Sequence, residues 1–450
     1  MRYSGFCQLS TTKPAHKLSR RKKSVAVAFL FTAIIAGGLL GCRNAQTTPP
    51  AFSHDVQPSN NEHNIRLGAM FIMSGPLEGY GRNAKNAIEI AIEEINNTGG
   101  IQGRKLEVVF KDEAPAKTGD KAALIAEELI SNEKADFLIG PTSSGVAPAV
   151  SEVAKKHHTI LLVPMAAADQ LTGSLFHPYI FATLSNSMMH ARSGANLAAS
   201  KPYKRWMTVA PDYNYGHSSW EMFKTRLQEL RPDVAIVGEA FPAFRETKDY
   251  TPYIKEILAK KPDAVWSPLW GSDAVTFIRQ AMKYDLFSKI KFFFPDAGAL
   301  EVLMPFGKEM PKGLYISSRY FFTTPDSDMN RSFVSSYFNK FKEYPDYMAG
   351  EAYAAMYFLK AAVERAKSID SDTIVRAVES EPLAWETPEG WKVMRAEDHS
   401  VVEDCVWGET GYSNKYEFAV MTNIQSIQGE EICRTKEELR QVRAQSKAVH

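Results

Sequence analysis

The chain has 450 residues, of which 44% are apolar, 11% aromatic and 23% charged, a composition that excludes intrinsic disorder, collagen-like repeats and a multi-span membrane protein. That length predicts two or three domains with sizeable cores. The formal charge of +1 is unevenly spread: residues 1–41 carry seven Lys/Arg and no Asp or Glu, so residues 42–450 are acidic by about −6, which argues against a general nucleic-acid binder.

Residues 1–41 read as an export signal: a basic stretch through Lys23, an uncharged apolar run over 24–40, and small residues at its end. The sequence Leu39-Leu40-Gly41-Cys42 resembles the bacterial lipobox, in which the cysteine thiol is linked to diacylglycerol and becomes the new N-terminus. A thiol suits that position because it is a far better nucleophile than a hydroxyl. The reading places a lipid anchor on Cys42 and the protein on the periplasmic face of a membrane; the other reading is an uncleaved N-terminal helix with a chance cysteine. Residues 42–64, polar and without hydrophobic period, read as a flexible tether. Cys7 lies in the leader, so Cys405 and Cys433 are the cysteines left for the folded part. In an exported protein they are expected to form a disulfide, with two free thiols as the alternative. No third or fourth ligand stands near them, and no metal site is expected.

From residue 65 the punctuation becomes regular. Strands are expected at 65–72, 106–110, 135–139 and 159–163, alternating with helices at 83–96, 119–130 and 145–156. The strands are continuous apolar runs, as in a parallel sheet covered on both faces. After 179–184 the same grammar restarts, with strands at 205–210, 234–241, 264–267, 290–294 and 313–317 among four helices. Helices follow at 329–343, 351–367 and 372–380, then an aromatic, turn-rich section over 383–433 and a charged tail over 434–450 that is helical or frayed.

Two α/β halves of similar rhythm imply two lobes with a cleft between them, and ligands of such sheets sit beyond the carboxyl ends of strands. Those ends carry Ser74-Gly75-Pro76 through Tyr80-Gly81, Gly140-Pro141-Thr142-Ser143-Ser144-Gly145 and Pro164-Met165-Ala166-Ala167-Ala168 in the first half. In the second they carry Pro211-Asp212-Tyr213-Asn214-Tyr215-Gly216, Pro268-Leu269-Trp270-Gly271 and Pro295-Asp296-Ala297-Gly298. Small residues and Ser hydroxyls at helix starts suit a carboxylate or amide oxygen, and aromatic rings supply flat apolar walls. Neither Gly-rich turn fits a dinucleotide fingerprint or a P-loop, and no G-x-S-x-G or H-E-x-x-H arrangement appears, so no enzymatic activity and no cofactor are expected. His157-His158 end a helix, and His399 beside Glu397-Asp398 looks like a charge cluster.

Taken together, Gly75-Pro76, Tyr80-Gly81, Asn96 with Gly99-Gly100-Ile101, Ile139 through Ser144, Pro164 through Ala168, Tyr215-Gly216 and Arg279-Gln280-Ala281 resemble the branched-chain amino acid and amide binding proteins of bacterial ABC uptake systems, over about residues 65–430. The resemblance implies the type I periplasmic binding protein fold, two Rossmann-like α/β lobes joined by a three-crossover hinge. It divides the chain into 65–186 and 321–392 for lobe 1, 187–320 and 393–433 for lobe 2, and 434–450 as a tail, which makes His399 second-lobe structure. It implies ligand contacts from Ser143 and Ser144 to a carboxylate, from Ala166 and Ala168 after the fourth strand, and from Tyr80 and Tyr215 across the cleft. Trp270 falls where family members vary with their ligands, and Asp296 falls on the acidic residue that holds the ligand ammonium. Asp in place of the usual Glu, and Ala168 in place of Thr or Ser, point away from a branched-chain ligand toward a larger amino acid, including an aromatic one, or an amide. The implied partners are the ligand and the membrane subunits of an ABC permease, with the binding protein a monomer; a receptor module presenting its ligand to a signalling partner is the alternative. Cys42→Ser is expected to release the protein from membranes, read by co-sedimentation; continued sedimentation with membranes would contradict the lipid anchor.

Overall fold

The computed structural model describes residues 63–113 and 118–449; Cys42 and the tether up to residue 62 lie outside them. The first sheet contains β1 (Ile65–Phe71), β2 (Leu106–Asp112), β3 (Phe137–Ile139), β4 (Leu161–Val163) and β5 (Ile180–Ala182) in the order β2-β1-β3-β4-β5. Every pair is parallel. Its crossovers include α1 (Glu78–Asn97), α2 (Gly119–Ser131) and α3 (Ala147–Lys156). The helical period of α1 turns Ala84, Ala87, Ile88, Ala91 and Ile95 inward onto this sheet.

The second sheet is built the same way from β6 (Arg205–Val209), β7 (Ala235–Ala240), β8 (Ala264–Trp266), β9 (Lys291–Phe294) and β10 (Tyr315–Ser318). Around it lie α4 (Ser187–Ala199), α5 (Asn214–Leu230), α6 (Thr251–Lys260), α7 (Gly271–Met282) and two four-residue helices, α8 (Leu286–Lys289) and α9 (Leu300–Leu303). One face buries Trp206, Trp220, Phe223, Trp266 and Trp407, with Phe223 stacked on Trp266 at 4.1 Å between ring centres. Rings of this size, fully removed from water, contribute roughly 1.5–3 kcal/mol each. The chain then forms α10 (Asp328–Phe341) and α11 (Tyr347–Ala366), which pack on α1 beside the first sheet, and α12 (Ser371–Ser380).

Two glycines after cleft tyrosines show why the strand-to-helix turns are written as they are. A side chain at Gly81 would put its first carbon 2.2 Å from the Ile72 carbonyl oxygen, and at Gly216 2.0 Å from that of Pro211. Only glycine lets these helix starts press against the strand ends, which aims Tyr80 and Tyr215 at the space between the lobes.

Residues 383–433, read from sequence as a turn-rich section, contain five strands. β11 (Leu383–Thr387), β12 (Gly390–Met394) and β13 (Val401–Val402) form a small antiparallel sheet. β14 (Cys405–Gly411) and β15 (Val420–Ile427) add to the second sheet beside β10, giving the order β15-β14-β10-β9-β8-β6-β7 with antiparallel pairing at that edge. Alternation is present in β11, where Leu383, Trp385 and Thr387 are buried and Ala384 and Glu386 exposed. Short runs broken by Pro and Gly conceal it. The tail is a docked helix, α13 (Lys436–Val449): Leu439 is buried, Glu438 pairs with Arg192, and the Arg443 guanidinium lies 4.4 Å from the Phe176 ring centre.

The expected disulfide is not formed. Cys405 and Cys433 are both free and buried, in one small apolar cluster with Met188, Met189 and Ile432. The loop that a bridge would close is already closed by the β14–β15 ladder, in which Cys405 faces Ile427. Burial pushes the thiols up, to about 12 for Cys405 and about 11 for Cys433, so both act as small hydrophobes. His399 also differs from its reading as second-lobe structure. It is fully buried, stacked on Phe181 of β5 at 4.2 Å, and its neighbour Ser400 bridges to Ala182 in the first sheet.

The chain passes from the first sheet to the second after β5, leaves it after β10, and re-enters it at Cys405, some residues beyond the boundary at 392/393 that the resemblance implies. Lys392 lies among these passages, its side chain 1% exposed. Its ammonium is 2.7 Å from Glu351 on α11, 2.9 Å from Glu389 in the β11–β12 turn, 2.5 Å from Glu403 before β14, and donates to the Thr183 carbonyl after β5 at 3.1 Å. The three carboxylate oxygens lie within 4.8 Å of one another, and the cation between them is Lys392. Lys392→Met would leave buried acids without a counter-charge. It is expected to cost about 3–5 kcal/mol in urea unfolding, less at low pH where the acids take up protons. An unchanged midpoint would contradict this role.

Candidate functional site

The strand ends of both sheets converge on one cavity of ≈ 260 Å³ between the lobes. Tyr80, Ser143, Ser144, Tyr215, Trp270 and Asp296 all line it. Ala166 and Ala168 do not. The extended segment after β4 alternates, so Met165 and Ala167 face the cavity while Ala166 and Ala168 pack into the apolar cluster shared with α2 and α3. The reading after this strand was off by one residue, and in extended backbone one residue reverses the face.

The polar wall is the loop from Thr142 to Gly145. Glu113, 1% exposed at the end of β2, accepts the backbone N–H groups of Thr142 at 2.7 Å and Ser143 at 3.1 Å. Thr142 Oγ1 accepts the Ile72 N–H at 3.0 Å, tying the loop to the end of β1. Ser143 Oγ accepts the Gly145 N–H at 3.2 Å, which leaves its hydroxyl proton free to donate. Ser144 is exposed toward the cavity. Two hydroxyls on a braced loop suit an anionic or carbonyl oxygen.

The opposite wall is aromatic. Tyr213 and Phe244 stack at 4.5 Å, Phe244 and Trp270 lie 5.2 Å apart, and Trp270 Nε1 donates to the Tyr213 hydroxyl at 2.9 Å. Tyr80 meets Trp270 edge-on across the cleft at 5.9 Å and, on its own side, Tyr347 at 6.5 Å. Trp270 and Tyr213 satisfy each other's polar tips, and the Tyr80 hydroxyl is taken up by Glu301.

Charge enters at the second lobe. Asp296 accepts from the Tyr215 hydroxyl and lies 3.5 Å from the Arg319 guanidinium, with side chains 14% and 7% exposed. Arg319 Nε donates to the Ser185 carbonyl at 2.9 Å. His190, held neutral by burial well below its usual range, has Nδ1 3.9 Å from Asp296. Burial raises Asp296, with Arg319 and Tyr215 opposing that rise. Glu301 at the start of α9 accepts from the Tyr80 hydroxyl, and burial pushes its carboxyl up to about 7. Asp346 caps α11 and receives the N–H groups of Tyr347 at 2.8 Å and Leu300 at 3.0 Å.

Arg319, Glu301, Tyr213, Phe244 and Tyr347 were not assigned from the sequence. Tyr213 stands in the quoted Pro211–Gly216 motif, and Phe244 and Arg319 follow strands β7 and β10, so the strand-end rule could have found them. Glu301 and Tyr347 carry no local signal; helix packing brings them to the cavity.

Residues 64–410 match the periplasmic binding protein family, and the chain belongs to it. It is similar to the Leu/Ile/Val-binding protein homolog 7 of Brucella abortus (strain 2308), 28% identical over 48% of this chain and 55% of the relative, so the match spans about half of that protein's length. It is also similar to the Leu/Ile/Val-binding protein BraC3 of Rhizobium johnstonii, 24% identical over 79% of this chain and 90% of that one. A solved structure of an ABC-type branched-chain amino acid transporter from Rhodopseudomonas palustris CGA009 superposes with a TM-score of 0.72, at 25% identity, covering 82% of this chain and 98% of that one. The family and fold are those of binding proteins that catalyse no reaction.

Glu301 gives the site a pH signature. Its carboxyl is raised from 4.5 to about 7, so the folded protein holds a proton that the unfolded chain has released. The associated stability is complete below the lower value and withdrawn as pH rises through the upper one. Between pH 5 and pH 8 the wild-type melting temperature is expected to fall relative to Glu301→Gln by roughly 2–5 °C. Parallel melting curves for the two proteins would contradict the assignment.

Proposed function

We propose that the chain is the extracytoplasmic solute-binding component of an ABC uptake system, taking a small amino-acid-like solute with an aromatic or bulky body into the interlobe cleft and delivering it to a membrane permease. The observation that carries this is a single cavity with hydroxyls on one wall, aromatic rings on the other, and both a cation and acids at its second-lobe face. In this reading the solute carboxylate takes the hydroxyls of Ser143 and Ser144. Its apolar body lies against Trp270, Phe244 and Tyr213, and the closing lobes bring Tyr80 and Tyr215 over it.

Binding energy here serves to favour the closed state, since a ligand touching both lobes stabilises their approach and the permease reads the result. The cavity volume of ≈ 260 Å³ favours a single small molecule over a peptide. The export signal and the lipid anchor at Cys42 complete the proposal, holding the binding protein as a monomer on the periplasmic face of the membrane. An amide in place of the amino acid would use the same serine wall.

The test is a thermal-shift and calorimetric screen of residues 43–450 against amino acids, amides and aromatic carboxylates. A solute at a hundredfold excess over its dissociation constant adds about 2.7 kcal/mol, a shift of several degrees. At least one bulky or aromatic amino acid is expected to give it, and Ser144→Ala to weaken that solute about tenfold. Absence of any shift across the screen would refute the reading.

A further inference from the structure

The acids around the cavity are not equivalent. Asp296 has a cation at 3.5 Å in Arg319 and a phenol donor in Tyr215. Glu113 lies beneath the serine loop with both oxygens on backbone N–H groups, and Asp346 is taken up by the N–H groups of Tyr347 and Leu300. Glu301 alone among these lines the cavity with nothing but a neutral phenol, that of Tyr80, on its carboxylate.

Its position adds to the contrast. Glu301 belongs to the second lobe and Tyr80 to α1 of the first, so their hydrogen bond crosses the cleft. The pair also lines two neighbouring cavities of ≈ 360 and ≈ 550 Å³, and so stands where the inner cavity meets the outer ones. A cationic group placed here would exchange one phenol proton for an ammonium, with its charge opposite a carboxylate that has no cation in contact. At Asp296 the same ammonium would compete with Arg319, a buried guanidinium already in place.

We propose that Glu301, rather than Asp296, receives the cationic nitrogen of an amine-bearing solute, while Asp296 serves as the counter-ion of Arg319. This rests on the reading of the cleft as the solute site. Glu301 then decides whether the solute must carry an amine, and the Arg319–Asp296 pair is left neutral overall beside the carboxylate end.

The groups facing Glu301 are Tyr80 on α1, Arg245 after β7, Asp296 after β9, and Asp346 and Tyr347 at the start of α11. Of these, the acids and burial favour its protonated form, and Arg245 and the Tyr80 hydrogen bond oppose them. An ammonium arriving at Glu301 expels that proton. Binding of an amine-bearing solute therefore releases protons and tightens as pH rises from 6 to 8, whereas a solute without the amine binds with the opposite slope.

The experiment is calorimetry on the mature wild-type protein and on Glu301→Gln with L-phenylalanine and 3-phenylpropanoate, or with the tightest such amino/des-amino pair from a screen of the L-amino acids. Titrations run at pH 6 and pH 8 in buffers of different ionisation enthalpy. Glu301→Gln is expected to weaken the amine-bearing member at least tenfold, to leave the des-amino member within threefold, and to abolish proton release. Tyr80→Phe, which keeps the ring and frees the carboxylate, is expected to hold or raise the affinity for the amine; a tenfold fall would make the phenol the recognition group and overturn the proposal. Equal losses for both members in Glu301→Gln, or unchanged amine affinity without proton release, would overturn it too. A wild-type protein that binds only des-amino acids overturns the proposal while the solute-binding reading stands, and one that binds neither class removes both.

Discussion

The fold depends on a charge that cannot be left alone. Lys392, almost fully removed from water, is surrounded by Glu351, Glu389 and Glu403, and it also holds the Thr183 carbonyl. Glu403 in turn accepts the Ser185 N–H, and the Ser185 carbonyl receives Arg319. The stretches of chain that run between the two sheets are thus laced into one polar network. Burying such ions is costly, and the cost is offset only when every partner is in place. The network therefore admits one arrangement of the passages, and the lobes hang from it.

The same logic shapes the cleft. Arg319 belongs both to the network and to the cavity wall, so the charge a ligand meets is positioned by the hinge itself. Around it the protein has set rings that stack on one another, with the Trp270 N–H paired to the Tyr213 hydroxyl. On the other lobe the buried Glu113 carboxylate holds the loop that carries Ser143 and Ser144 into the cavity wall. Most of the chemistry at this site is the arrangement of groups already satisfied by protein partners, with a few donors and one acid left over.

Much of this was legible in the chain. The alternation of apolar runs and helical periods located β1 to β4 and β6 to β10, because a parallel sheet buried on both faces writes its strands as continuous hydrophobic segments, and it passed over the three-residue β5. The rule that ligands sit past the carboxyl ends of strands found Tyr80, Ser143, Ser144, Tyr215, Trp270 and Asp296, which share one cavity. It failed at Ala166 and Ala168, where the motif was right and the face was not. It passed over Arg319, which directly follows β10. Residues 383–433 were opaque because antiparallel edge strands are short, half-exposed and broken by turns. The cysteine count suggested a bridge that a hairpin ladder made unnecessary.

By itself the sequence determined what local chemistry can determine: two α/β halves, glycines where helices must touch strand ends, and the residue types that follow those strands. These are properties of short segments, read through periodicity and backbone sterics. Only the tertiary structure decided which charges meet. Asp296 is a counter-ion because Arg319, 23 positions later, folds back beside it, and Glu301 faces the cavity because a four-residue helix sets it opposite Tyr80, 221 positions away. The strength of an electrostatic contact depends on distance and on exclusion of water, and neither exists until the chain has closed around the site.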